Sequence, residues 1–116
     1  MATSYNISTY QGDFFQATLS VKNTNNIPIN LSGYEIRGQV RTSYGATGIL
    51  LDLNPTISGN GVSGIINIAI PSNITDQIPV GTFVYDIERY PSGITTGNSI
   101  KLMLGKFIVS PEVTRW

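Results

Sequence analysis

Apolar and polar residues alternate with a period of two along most of this 116-residue chain, and that pattern restricts it to β-strands. Phe15, Ala17, Leu19 and Val21 fall on one side, with Gln16, Thr18, Ser20 and Lys22 on the other. Tyr34, Ile36, Gly38 and Val40 alternate with Glu35, Arg37, Gln39 and Arg41. Phe83, Tyr85 and Ile87 alternate with Val84, Asp86 and Glu88. Ile66, Ile68 and Ile70 repeat the pattern, Ile49 to Leu53 does so less cleanly, and Ile100 to Val109 is a last apolar run. A short strand near Tyr5 to Tyr10 brings the total to about seven. No segment sustains a 3.6-residue period.

Turn chemistry separates these runs. Asn23 to Asn26 with Pro28, and Ser43 to Gly48, read as loops. Ser58-Gly59-Asn60-Gly61 reads as a tight hairpin connection, because Asn and Gly tolerate positive φ. Pro91-Ser92-Gly93 is a further turn, continued as a long hairpin loop through Thr95 to Asn98. Pro71 to Gln77 suits one helical turn, with Ser72 or Asn73 as its N-cap. Strands of this length at this spacing predict an all-β sandwich or barrel; of the two, a two-sheet antiparallel Greek-key sandwich of about seven to eight strands is expected. Its predicted core is Phe15, Leu19, Ile36, Val40, Leu51, Ile66, Ile68, Phe83, Tyr85 and Leu102. In the last strand Ile100, Leu102 and Leu104 are out of step with Phe107 and Val109. Either a bulge at Gly105 absorbs the slip, or the strand is buried on both faces by a neighbouring subunit.

The length fits one domain, residues 1–116, with short arms at 1–4 and 111–116. The N-terminus lacks a charged segment followed by an apolar one, and no apolar run approaches the roughly 20 residues of a membrane span. Neither a leader nor a membrane association is therefore expected. Only 12% of the residues are charged and the net charge is zero, which leaves no basic footprint for nucleic acid. The polar surface must come from Ser, Thr and Asn, which number 33. Such a surface does little to keep copies apart, which favours association.

Catalytic chemistry has little to draw on. The chain has no histidine and no cysteine, so the commonest general base, the commonest metal ligand and the thiolates are all missing. No serine lies in a Gly-x-Ser-x-Gly elbow, and Gly59-Asn60-Gly61 precedes a strand, so no helix N-terminus stands ready for an anion. Asp86 and Glu88, two apart on one strand, share a face. Paired carboxylates serve glycoside hydrolysis. The simpler expectation is that they pair across strands with Arg37 and Arg41 on a solvated sheet face. The remaining aspartates are isolated, so neither a metal nor a cofactor is expected.

Several segments, taken in order, resemble a known family. They are Gln11-Gly12-Asp13-Phe14-Phe15, Pro28-Ile29-Asn30-Leu31-Ser32-Gly33-Tyr34, Gly81-Thr82-Phe83-Val84-Tyr85-Asp86-Ile87-Glu88 and Gly105 to Arg115. This order resembles the small Ig-like β-sandwich domains of tailed-bacteriophage virion proteins, of the type found in cyanophages. It is also similar to the N-terminal domains of upper baseplate proteins. The resemblance implies an Ig-like sandwich and a non-enzymatic structural role in the virion, assembled in the host cytoplasm. The subunit would form a homo-oligomer, a trimer or another small ring, and dock on larger virion proteins as capsid decoration or as a tail or baseplate adaptor. Members are often one module of a longer protein; this chain ends just after the module, which favours a stand-alone accessory subunit. The candidate interface residues are those outside clean core phases: Tyr5, Tyr10, Tyr44, Tyr90, Val113, Arg115 and Trp116. Val113, Arg115 and Trp116 would lie on an arm beyond Pro111, which cannot donate to a strand ladder. The alternative is a carbohydrate-binding module, whose mark would be a planar row of three exposed aromatics.

Overall fold

A computed structural model describes residues 3–93, 97 and 99–113. Its strands are β1 (Thr3–Ser4), β2 (Ile7–Tyr10), β3 (Phe15–Ser20), β4 (Tyr34–Arg41), β5 (Leu51–Asp52), β6 (Thr56–Ile57), β7 (Ile65–Ile70), β8 (Gly81–Pro91) and β9 (Ile100–Ser110). They form two sheets. One runs β1-β9-β8-β4-β5, with β2 also on β9; the other runs β3-β7-β6. The chain is thus the expected two-sheet all-β sandwich.

The sheets meet over the residues that the alternation singles out. Leu19, Val40, Leu51, Ile66, Ile68, Tyr85 and Leu102 are buried, while Phe15, Ile36 and Phe83 pack half-exposed against them. Phe107 is fully buried, and the Phe15 ring meets it edge-on at 6.1 Å. The core also takes Leu31, Leu53 and Ile78 from segments between strands. Leu53 continues the alternation of Leu51 beside β4, its N–H donating to the Gly38 carbonyl at 3.0 Å.

Four features depart from the sequence reading. First, β1 and β2 pair with β9 in parallel, keeping one register from Thr3↔Met103 to Tyr10↔Ser110. Residues 3 and 4, expected as a free arm, therefore belong to the sheet. Between β1 and β2 the Asn6 side chain takes over the ladder, its Oδ1 accepting from the Lys106 N–H at 3.0 Å.

Second, the irregularity in β9 lies at Leu102, not at Gly105. Ile87 faces Met103 and Glu88 faces Lys101, so Leu102 has no partner across the ladder. Leu102 and Met103 are consecutive and both buried, as an extra residue in a strand requires. Gly105 has a different reason to be glycine. A Cβ there would collide with the Tyr5 carbonyl oxygen, which lies against β9 in the link between β1 and β2.

Third, residues 58–64 hold two successive turns, Gly61 N–H to Ser58 C=O and Gly64 N–H to Gly61 C=O, in place of one tight hairpin. Fourth, the helical turn α1 (Ser72–Thr75) is capped by Pro71 without a side-chain bond. The Pro71 carbonyl instead accepts from the N–H groups of Ile74 and Thr75. The expected loop at Thr95 to Asn98 lies almost wholly outside the described residues.

Candidate protein-interaction surface

Strand direction decides which loops share an end of the sandwich. β2, β4, β7 and β9 run toward one end, and β3, β5 and β8 start from it. That end therefore gathers residues 11–14, 42–50, 71–80 and 111–113.

Buried polar bonds fix its shape. Thr75 is fully buried, and its hydroxyl bonds the carbonyls of Asp13 at 2.6 Å and Ser72 at 3.2 Å. Gln11 Nε2 donates to the Ile78 carbonyl at 2.8 Å. The turn after β2 is thereby latched to the segment around α1, and Ile78 is held in the core. The apolar neighbours of these latches face water. Phe14 is 60% exposed, Val80 50% and Ile74 40%. Tyr10, Tyr44, Ile49 and Val113 stand exposed at the same end. Of the eleven large apolar residues exposed among the described residues, this end holds these seven. Fully burying a side chain such as Phe or Ile stabilises by about 1.5–3 kcal/mol, so an end surface of this kind gains by being covered.

The outer face of the larger sheet is polar. A shallow groove of about 410 Å³ is lined by Arg37, Gly38, Gln39, Arg41, Asp86 and Glu88. Arg37 and Glu88 face each other across β4 and β8, with Nε to Oε1 at 2.5 Å. The Arg37 guanidinium also lies over the Tyr90 ring, 5.3 Å from its centre. The expected cross-strand pairing thus holds for Arg37 and Glu88 but not for Arg41 and Asp86. Asp86 takes Lys101 at 2.9 Å, because the extra residue in β9 carries Lys101 opposite Glu88. The hydrogen bond and charge of Asp86 raise the Lys101 pKa. Arg41, last in β4, folds over the following loop and donates to the Ala46 and Thr47 carbonyls at 3.1 and 3.0 Å. Each carboxylate in the groove is matched by its own cation.

The residues singled out from sequence do not form one site. Tyr10, Tyr44 and Val113 belong to the apolar end. Tyr5 lies on the sheet edge between β1 and β2, its carbonyl accepting from the Tyr85 hydroxyl at 2.6 Å. Tyr90 lies toward the opposite end of β8, six residues beyond Val84, the partner of Arg41. At a rise of about 3.3 Å per residue that is roughly 20 Å from the strand end leading into the Tyr44 loop. The four tyrosines therefore do not make a planar row. Arg115 and Trp116 lie outside the described residues. Sequence reasoning missed Phe14, Ile74 and Val80. Phe14 had a signal, since in consecutive phenylalanines on a strand only one can face the core.

No family model matches the chain, and no curated protein matches it. Among solved structures it is similar to a family 123 glycoside hydrolase from Clostridium perfringens, described for glycolipid glycan hydrolysis. The TM-score is 0.37 and the identity 16%, over 96% of this chain and 23% of that one. A likeness this slight carries neither a fold nor an activity, and the chain spans under a quarter of that enzyme.

Among the described residues no helix is long and apolar enough to cross a membrane. No group of three or more Asp or Glu among them is placed to hold a metal ion.

Proposed function

We propose that this protein is a non-enzymatic structural subunit of a bacteriophage virion. It associates with itself and docks on larger virion proteins through the apolar end of its sandwich, as capsid decoration or as a tail or baseplate adaptor. The concentration of exposed apolar side chains at that end, around Phe14, Ile74 and Val80, is the observation that carries this reading. Three facts support it. The surface is weakly charged and the net charge is zero, so like copies do not repel. The chain has neither His nor Cys for chemistry. The ordered resemblance to phage Ig-like domains points the same way.

Cosedimentation of the purified protein with virions lacking it tests the reading. The wild type is expected to sediment with particles, and Phe14→Glu with Val80→Glu to abolish this while the circular dichroism spectrum stays that of a β-protein. A wild type that ignores particles yet binds a glycan array would overturn the reading in favour of carbohydrate recognition.

A further inference from the structure

Every open sheet has edges, and a monomer defends them with short strands, charges, proline or breaks. Three edges here are defended. β5 and β6 are two residues each, and the β1–β2 edge is broken at Tyr5 and Asn6, where the ladder passes to a side chain.

The fourth edge is β3, and it has no such defence. It runs unbroken through six residues, Phe15–Ser20, all in register with β7 on one side. Among the described residues no strand lies on its other side. It contains no charged residue, proline or glycine. Beside it a hollow of about 300 Å³ separates it from β2 and the link before it, lined by Tyr5 to Ser8 and by Phe15 to Leu19.

The hydrogen-bond phase of this edge can be read from its neighbours. The Val21 N–H donates to the Gly64 carbonyl, and the Ser58 N–H to the Ile65 carbonyl on the far side of β7. Backbone groups alternate sides along a strand. Phe15, Ala17 and Leu19 therefore bond β7, and Gln16, Thr18 and Ser20 aim their N–H and C=O groups outward. Their side chains are exposed as well.

We infer that a second copy of this chain occupies the β3 edge, in antiparallel pairing about a two-fold axis through Thr18. This register sets Thr18 against Thr18 of the second copy and Gln16 against Ser20. All three outward-aimed residues of each copy then bond in one ladder; centring on Ala17 would leave Ser20 unused. On the inner face small Ala17 meets large Leu19. Every facing pair is uncharged, so the contact meets no repulsion, and a Thr–Thr pair is a favourable cross-strand match. The result is a six-stranded sheet continuous through both subunits. This deepens the proposed self-association, and rests on it, by naming its surface and its symmetry; the apolar end stays free for the virion partner.

The absence of native cysteine makes the test direct. Opposed residues in an antiparallel pair lie about 4.5–5.5 Å apart between Cα atoms, within disulfide reach. Under a mild oxidant Thr18→Cys is expected to form a disulfide-linked dimer, whereas Val62→Cys, exposed in the loop after β6, is expected to dimerise without a covalent link. Thr18→Lys sets two ammonium groups together at the axis and is expected to halve the mass measured by light scattering, with a wild-type circular dichroism spectrum. Cross-linking of Thr18→Cys no faster than of Val62→Cys overturns the β3 pairing. If the wild type nevertheless has a multimeric mass, self-association survives through another surface. A wild type that is monomeric at every concentration removes both.

Discussion

The Tyr85 hydroxyl donates to the Tyr5 carbonyl at 2.6 Å, and Gly105, which faces Tyr85 in the ladder, leaves that carbonyl its room. Three segments are thus joined at one point: the link between β1 and β2 presses against β9 where β9 has no side chain, and β8 bonds the backbone of that link.

Gly105→Ala forces a methyl group into the Tyr5 backbone. Overpacking of this kind costs about 1–3 kcal/mol. The loss should be local, so amide exchange in residues 3–10 is expected to accelerate more than in β3 or β7. A variant with wild-type melting temperature and exchange would show that this contact is not tight.

Burial, and secondarily the nearby Tyr5, raise the Tyr85 pKa above its usual value. In the unfolded chain Tyr85 loses its proton near pH 10; in the folded chain it keeps it. Above that pH the unfolded state binds fewer protons, so stability falls as pH rises. Tyr85→Phe removes this contribution together with one hydrogen bond, worth about 0.5–1.5 kcal/mol. Chemical denaturation should find Tyr85→Phe less stable at pH 7, with the gap narrowing above about pH 10. A gap independent of pH would count against a protonated, bonded Tyr85.

Phe107 and Phe14 separate folding from binding. Phe107 is fully buried, and Phe107→Ala should cost about 3–5 kcal/mol. Phe14 is mostly exposed, and Phe14→Ala should change stability by no more than about 0.5 kcal/mol. Urea midpoints measure both. A large loss for Phe14→Ala would mean that it belongs to the core.

The Arg37–Glu88 pair joins an exposed arginine to a half-buried glutamate at the surface, and surface pairs contribute at most about 1 kcal/mol. Arg37→Ala should lower stability slightly at low salt and less as salt screens the pair. Loss of several kcal/mol would require a structural role that the exposed geometry does not provide.

Alternation made the sandwich legible because strand side chains face opposite sides in turn. That is why Leu19, Val40, Ile66, Ile68 and Tyr85 could be assigned to the core from sequence. Alternation says nothing about strand direction, so the parallel pairing of Thr3 to Tyr10 with the last strand could not be read from it. Nor could it locate the irregular residue: Leu102, Met103 and Leu104 are all apolar, so no polar residue marks the step in phase. Arg41 and Asp86 were paired on strand position alone, which cannot foresee that Arg41 turns onto its own loop or that Lys101 is carried into reach. The apolar end was least legible. Ile74 and Val80 lie between periodic segments, and only strand direction brings them to the end that holds Phe14.

The parallel edge has a mechanical consequence. β1 and β2 run the same way as β9, so tension entering the chain before Thr3 and leaving after Ser110 pulls the two strands past each other along their length. The hydrogen bonds between them, the Asn6–Lys106 bond included, then share the load in shear. They do not open one after another, as they would if the strands were peeled apart from one end. A subunit loaded in this way would yield late and abruptly, with the close contact at Gly105 acting as its catch.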